Sequence, residues 1–415
     1  MRAFQCLPSV RISEVVSPDE CTGGRYTCPH TGATFMLGEV AWPCYLRLPM
    51  GGIRSAEIMQ HIAGNILAQA LPEVRTFARP ITDKRRLALG GDTIAESTAW
   101  GLYLDNLYVI GTSHAHASQV LERGVAALTH AGLLCTVTQP VARTAKLLGF
   151  QYDGIACTVG VPEERMRLLR EAGLWLASCD LVDVDAVDRV LGHFTWAFLA
   201  QRPLYSVFSA IYEFVRLNRG RHVPWWGSAR RELQLASRLV HLAVTTVSRP
   251  VAPLLLVTDA EGQNSFDNGG GAVVARPFPH SHATEFRNGR LWETLPGERP
   301  HASVVGFISE PGWEELDVRR WRFGAHNNVL ELEAVLLAAK HIARCPGIRG
   351  RWVPLLTDSS VVLGCVRKGR SSSFALCRRL RKLAALALGW GVWLCPRWIP
   401  TDLCAADSAS RRRVP

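Results

Sequence analysis

No stretch of this 415-residue chain approaches the roughly 18 uninterrupted apolar residues that a membrane-crossing helix needs. A membrane span is therefore not expected. The opening, MRAFQCLPSVRISEVV, lacks the charged-then-apolar layout of a secretory leader, which points to an intracellular protein, cytoplasm or nucleus. None of the 12 cysteines forms a CxxC pair. Cys21, Cys28 and His30 hint at a metal knuckle, but a fourth ligand at suitable spacing is missing. Free thiols fit this pattern better than a disulfide scaffold. Acids are the scarcer charge, 36 against 47 lysines and arginines, and the net charge of +11 favours a polyanionic partner. With 48% apolar residues the chain is globular material, long enough for roughly two to four domains.

Because acids are few, their positions carry information. Val251 to Asp259 reads VAPLLLVTD, followed by a polar segment and then GGGAVVA. A short apolar run with Pro253 near its start predicts a buried strand that delivers Asp259 at its end. Ala325 to Cys345 reads AHNNVLELEAVLLAAKHIARC, a helix with Asn327 and Asn328 as candidate caps and no Pro or Gly until it ends. At about 100° per residue, Leu332, Val335, Leu336, Ala339 and Ile342 share one stripe. Glu331 lies on the edge of that stripe and can look back at a sheet, whereas Glu333 projects toward solvent.

Trp352 to Asp358, WVPLLTD, is a second short apolar run ending in Thr-Asp. Trp393 to Asp407, WLCPRWIPTDLCAAD, reads as a strand, a proline-marked turn and a small-residue helix start carrying Asp407. Strand-Asp, helix-Glu, strand-Asp and helix-Asp can bring four acids to one point. Such a cluster repels itself unless divalent cations sit in it, and oxygen-only ligands favour Mg²⁺ or Mn²⁺. Two such ions clamp the attacking and leaving oxygens of a phosphodiester.

In this order, TDA…GGGAVV, NNVLELEAVLLA, LLTDSS and WIPTDLCAADSASR resemble the ribonuclease H domain of retroelement polyproteins over residues 251–412. The resemblance implies that Asp259, Glu331, Asp358 and Asp407 are the metal-binding and catalytic quartet, holding two Mg²⁺ or Mn²⁺ ions. It also implies that the substrate is an RNA–DNA hybrid, recognised by shape and 2′-hydroxyls. A His often present in the last loop is absent from PTDLCAA. Farther upstream, LPMGG with Gly51 and Gly52, YLDN with Asp105, and KLLGF resemble the palm of a reverse transcriptase over about residues 40–160. The glycine pair would let backbone approach a primer end, and Asp105 would be a palm carboxylate.

The palm departs from its family in two ways. Its paired aspartates read Asp105-Asn106, and none of the few acids before LPMGG (Glu14, Asp19, Glu20, Glu39) stands in an apolar strand.

Residues 163–250 are helical, rich in Leu, Arg and Trp, and resemble a thumb and connection. Arg170, Arg189, Arg216, Arg219, Arg221, Arg230 and Arg231 are candidate phosphate contacts there. In VRKGRSSSFALCRRLRK, Arg378, Arg379, Arg381 and Lys382 ring a helix with an apolar stripe of Leu376, Leu380 and Leu383. Together with Asn327, Asn328, Gly51 and Gly52 they are the candidate nucleic-acid-binding residues.

The expected fold class is α/β. An α+β palm remnant (1–160) and a ribonuclease H-like α/β domain with a mixed five-stranded sheet (251–412) flank a helical thumb and connection (161–250). The expected activity is metal-dependent cleavage of the RNA strand of a hybrid, within a fragment of an LTR/DIRS-like retrotransposon polyprotein. Two alternatives stay open: an RNA-directed DNA polymerase completed by an upstream segment, and a non-catalytic nucleic-acid-binding remnant.

Overall fold

The computed structural model describes residues 10–15, 17–28, 32–41, 55–72, 75–76, 98–104, 106–262, 269–288 and 291–412. The chain divides into two compact units, Met1–Pro80 with Thr93–Val137, and Ile81–Asp92 with Thr138–Pro415. The boundary expected near residue 250 runs through the second unit. Among the described residues no helix is long and apolar enough to cross a membrane.

In the first unit, helix α1 (Ser55–Ala70), strands β1 (Thr98–Tyr103) and β2 (Asn106–Gly111) and helix α2 (His114–His130) share a core. Leu67, Leu71, Trp100, Leu102, Val120 and Leu128 fill it. The Ser113 hydroxyl accepts the His116 N–H and starts α2. In the β1–β2 hairpin Asn106 is the first ladder residue of β2, opposite Tyr103. The turn falls on Leu104, whose φ of 57° gives the left-handed backbone a two-residue hairpin loop requires.

The second unit begins with a four-stranded antiparallel sheet. Its strands are β3 (Thr144–Leu147), β4 (Phe150–Asp153), β5 (Thr158–Gly160) and, closing from far along the chain, β6 (Val244–Thr246). Between β5 and β6 run helices α3 (Glu163–Ser178), α4 (Val184–Ala197), α5 (Ala210–Asn218) and α6 (Gly227–Leu239). Pro203 lies between α4 and α5, and Gly220 and Pro224 between α5 and α6. Phe194, Phe198, Phe208 and Phe214 anchor their core, Phe198 stacking on Phe208 at 5.5 Å.

The last 160 residues or so build a mixed five-stranded sheet. It comprises β7 (Leu254–Ala260), β8 (Gly270–Pro277), β9 (Glu314–Arg320), β10 (Trp352–Thr357) and β11 (Trp393–Trp398), in the order β9-β8-β7-β10-β11. β7 runs antiparallel to β8, and β8 to β9, while β10 lies parallel to both β7 and β11. Both faces are covered, which is why β7 and β10 read as unbroken apolar runs.

On one face, Leu256, Val353 and Leu355 pack under helices α9 (Asn327–Ala343) and α11 (Phe374–Trp390). On the other, Leu255, Val257 and Leu356 meet helices α7 (His280–Asn288) and α8 (Ala302–Ser309) and the C-terminal segment. Helix α10 (Ser360–Lys368) follows β10, and α12 (Asp407–Ser410) closes the unit.

Helix α9 is more deeply enclosed than its stripe predicts. Besides the stripe, Leu330, Leu337 and Ala338 are buried, because α11 covers the side facing away from the sheet. The expectation that Glu333 faces solvent is overturned for the same reason: its carboxylate accepts from Arg379 Nε at 3.0 Å and is only 14% exposed.

The helical connector and the sheet domain are joined by charge. Buried Glu232 on α6 accepts the N–H groups of Ser209, Ala210 and Ile211, the first turn of α5, at 2.8–3.1 Å. Arg381 on α11 reaches the same carboxylate at 2.8 Å and also donates to the carbonyls of Ser206 and Val207. Gly369, the left-handed C-cap of α10, lies so near the Arg202 carbonyl that a Cβ there would overlap it.

Candidate metal centre

Topology explains why two of the acids meet. β7 and β10 are parallel neighbours at the centre of the sheet, so residues just beyond equivalent points on them emerge side by side. Asp259 ends β7 on the face of Leu255 and Val257, and Asp358 follows directly after β10. The Trp398 indole N–H donates to the Asp358 carbonyl at 2.9 Å and fixes the backbone there. Asp259 is buried, with one oxygen accepting the Ser410 hydroxyl. The same oxygen lies 2.9 Å from the Asp407 carbonyl, so its one proton is shared between two acceptors and the serine ties α12 to β7.

Glu331 enters from the first turns of α9. The Asn327 amide donates to its Oε1 at 2.8 Å, while Oε2 is buried without a hydrogen-bond partner. Asp407, partly exposed on α12, pairs with Arg411 one turn later at 2.6 Å. Glycine makes the entry to β8 possible: Gly269 has φ 79° and leaves no room for a Cβ against the carbonyls of Glu261 and Gly262.

The electrostatics of the group follow from burial. Loss of water pushes the Asp259 carboxyl above its ordinary value; Asp358 and Asp407 push it the same way, and the Ser410 hydroxyl opposes them. Glu331 is raised to about 7, first by burial; the Ser359 hydroxyl opposes this, and Asp358 and Asp259 add smaller upward pushes. Three acids thus act on one another, and Asp407 acts on Asp259. An unpaired buried oxygen, and carboxyls lifted first by burial and then by one another, suit a site that takes an added positive charge. The residues therefore fit a hard divalent cation.

Sequence reasoning missed three participants. Ser410 and Arg411 stand three and four residues after Asp407, which puts them on its face of α12. The third is Cys404: its sulfur and one carboxylate oxygen each from Asp259 and Asp358 all lie within 4.8 Å of one another. Burial raises its thiol well above the ordinary range, and the three aspartates add to that. A cysteine three residues before a candidate acid was the available signal.

The nucleic-acid candidates separate into two groups. Asn327, Arg378 and Lys382 are exposed and Asn328 is partly so. The helix cap is not an asparagine, however, but His326, whose Nδ1 accepts the Asn328 N–H. Arg379 is engaged by Glu333 and lies over the Phe323 ring, and Arg381 is engaged by the connector, so neither guanidinium is presented to a strand. In the connector, Arg216 and Arg219 pair with Glu213 and Asp188, and Arg230 donates to the carbonyls of Ala177 and Ser178. Gly51, Gly52 and Asp105 lie outside the described residues.

No protein-family model matches this sequence, and no curated protein matches it. Among solved structures the chain is similar to LC11-RNase H1 in complex with an RNA/DNA hybrid. That likeness has 15% identity and a TM-score of 0.25, over 38% of this chain and 92% of that one. It is also similar to the foamy viral protease-reverse transcriptase dRH with double-stranded DNA, at 12% identity and a TM-score of 0.37, over 93% of this chain and 54% of that one. The foamy viral enzyme with an RNA/DNA hybrid matches at 11% identity and a TM-score of 0.34, over 95% of this chain and 65% of that one. The chain spans about half to two thirds of those foamy viral chains. The fold class, mixed α/β, stands on the chain's own topology.

Proposed function

We propose that this chain is a divalent-metal-dependent endonuclease acting on the RNA strand of RNA–DNA hybrids, as part of an LTR/DIRS-like retroelement reverse transcriptase–ribonuclease H polyprotein. One observation carries the reading: acids from β7, α9 and the end of β10 converge, and Glu331 Oε2 among them is buried with no partner. Asp259, Glu331, Asp358 and Asp407 would hold two Mg²⁺ or Mn²⁺ ions, which when bound supply an acidified water and charge stabilisation at the departing 3′ oxygen.

The chain's own groups prepare that site. The Ser410 hydroxyl holds one oxygen of Asp259, and the Asn327 amide holds one oxygen of Glu331 and leaves the other free to turn inward. Arg411 offsets the charge of Asp407. Asn327 and Asn328, at the start of α9, would read 2′-hydroxyls of a hybrid, and exposed Arg378 and Lys382 suit backbone phosphates.

The test is cleavage of a labelled hybrid with Mg²⁺ by the full chain and by the double variant Asp259→Asn, Asp358→Asn. Cleavage is expected to vanish in the variant. Undiminished cleavage would overturn the assignment, and a wild-type chain that binds hybrid yet never cuts it would make the protein a binding module instead.

A further inference from the structure

We propose that Cys404 turns the acid cluster into a site for one thiophilic divalent cation, of the Zn²⁺ or Cd²⁺ class, held by Asp259, Asp358 and the Cys404 sulfur. The inference rests on the metal reading above and extends it to a donor of different chemistry.

Cys404 sits between the turn Thr401–Leu403 and α12 and is only 7% exposed. In that pocket it faces two carboxylates with donor atoms no more than 4.8 Å apart. A zinc-class ion with metal–sulfur and metal–oxygen bonds of about 2.3 and 2.0–2.2 Å needs sulfur and oxygen about 3.5 Å apart in a tetrahedral site. The gap of about 1 Å is within the reach of a side-chain rotation at Asp358, which is half-buried beyond its strand.

Binding breaks the S–H bond, passes the proton to buffer and forms a metal–sulfur bond, leaving two carboxylates and one thiolate around a dication. Mg²⁺ and Mn²⁺ take oxygen donors and gain little from sulfur, whereas soft ions gain much. The same pocket therefore ranks the two classes differently from an all-oxygen site, and a soft ion entering it displaces a hard one.

The experiment is a Cd²⁺ titration of the full chain in excess Mg²⁺, followed by the ultraviolet thiolate-to-cadmium absorption and by equilibrium dialysis. Wild type is compared with Cys404→Ser, Cys404→Ala and the Asp259→Asn, Asp358→Asn double variant. Because other cysteines contribute, the readout is the difference between chains. The wild type should show one tight site whose absorption is lost in both Cys404 variants, with affinity roughly tenfold or more weaker in the double variant. Identical titrations for wild type and both Cys404 variants would overturn the inference. If the double variant then still loses hybrid cleavage, the hard-metal reading survives alone. If it keeps both cleavage and the cadmium site, both readings fall together.

Discussion

Glu331→Gln should make the metal-free protein more stable while weakening its response to metal. The side chain keeps its shape and its contact with Asn327, but the carboxylate that Asp259 and Asp358 repel is gone. In the unfolded chain Glu331 ionises near its ordinary value, 4.5, and in the folded chain near 7. Below about pH 4.5 the group is neutral in both states and its neutralisation gains nothing. Between about pH 4.5 and 7 the unfolded chain sheds its proton while the folded one keeps it, so the wild type progressively loses stability that the glutamine variant keeps, and above 7 the loss is complete. A shift of that size corresponds to roughly 3 kcal/mol at most, and partial contact with solvent brings the expectation to about 2 kcal/mol. For a unit of this length that is about 3–4 °C in Tm. Thermal unfolding with EDTA at pH 4 and pH 8 measures it: the gain should be near zero at the lower pH and full at the higher. Saturating Mg²⁺ should raise the wild type more than the variant, because binding to the folded state alone is stabilising. A gain equal at both pH values would trace to packing instead, and no gain at pH 8 would refute the electrostatic account of the site.

Glu232→Ala removes four charge-assisted contacts and strands the Arg381 guanidinium, so urea unfolding of the second unit should show a loss of about 3–5 kcal/mol. Gly369→Ala forces a side chain into left-handed backbone and against the Arg202 carbonyl; the same assay should register roughly 2 kcal/mol or more. Replacing both Arg378 and Lys382 by Gln should weaken hybrid binding evenly across sequences. It should also reduce the slope of log affinity against log salt by about 2, whereas Arg379→Gln should act through stability because its charge is already engaged by Glu333.

The sheet and its acids were legible because burial on both faces leaves a strong mark: LLLV in β7 and VPLL in β10 have few other uses. The edge strand β9 was not, since Glu314 and Glu315 are exposed and its ladder with β8 slips between Val273 and Val274. Glu333 and Arg381 were misread together. Helical periodicity tells which side of a helix is polar but not that a second helix will cover that side, and a partnered charge looks the same in sequence as a solvated one. Ser410 escaped because a hydroxyl in a run of small residues carries no periodic signal, although its bond to Asp259 anchors the whole C-terminal turn.

The contact between Arg381 and Glu232 has a consequence for anyone who would cut the molecule apart. An excised nuclease half starting at residue 251 would keep the guanidinium and lose everything it grips, while the other half would keep an acid without its base. Each piece would inherit a wound of opposite sign, and the complementary pieces mixed in solution would have a ready reason to find each other again.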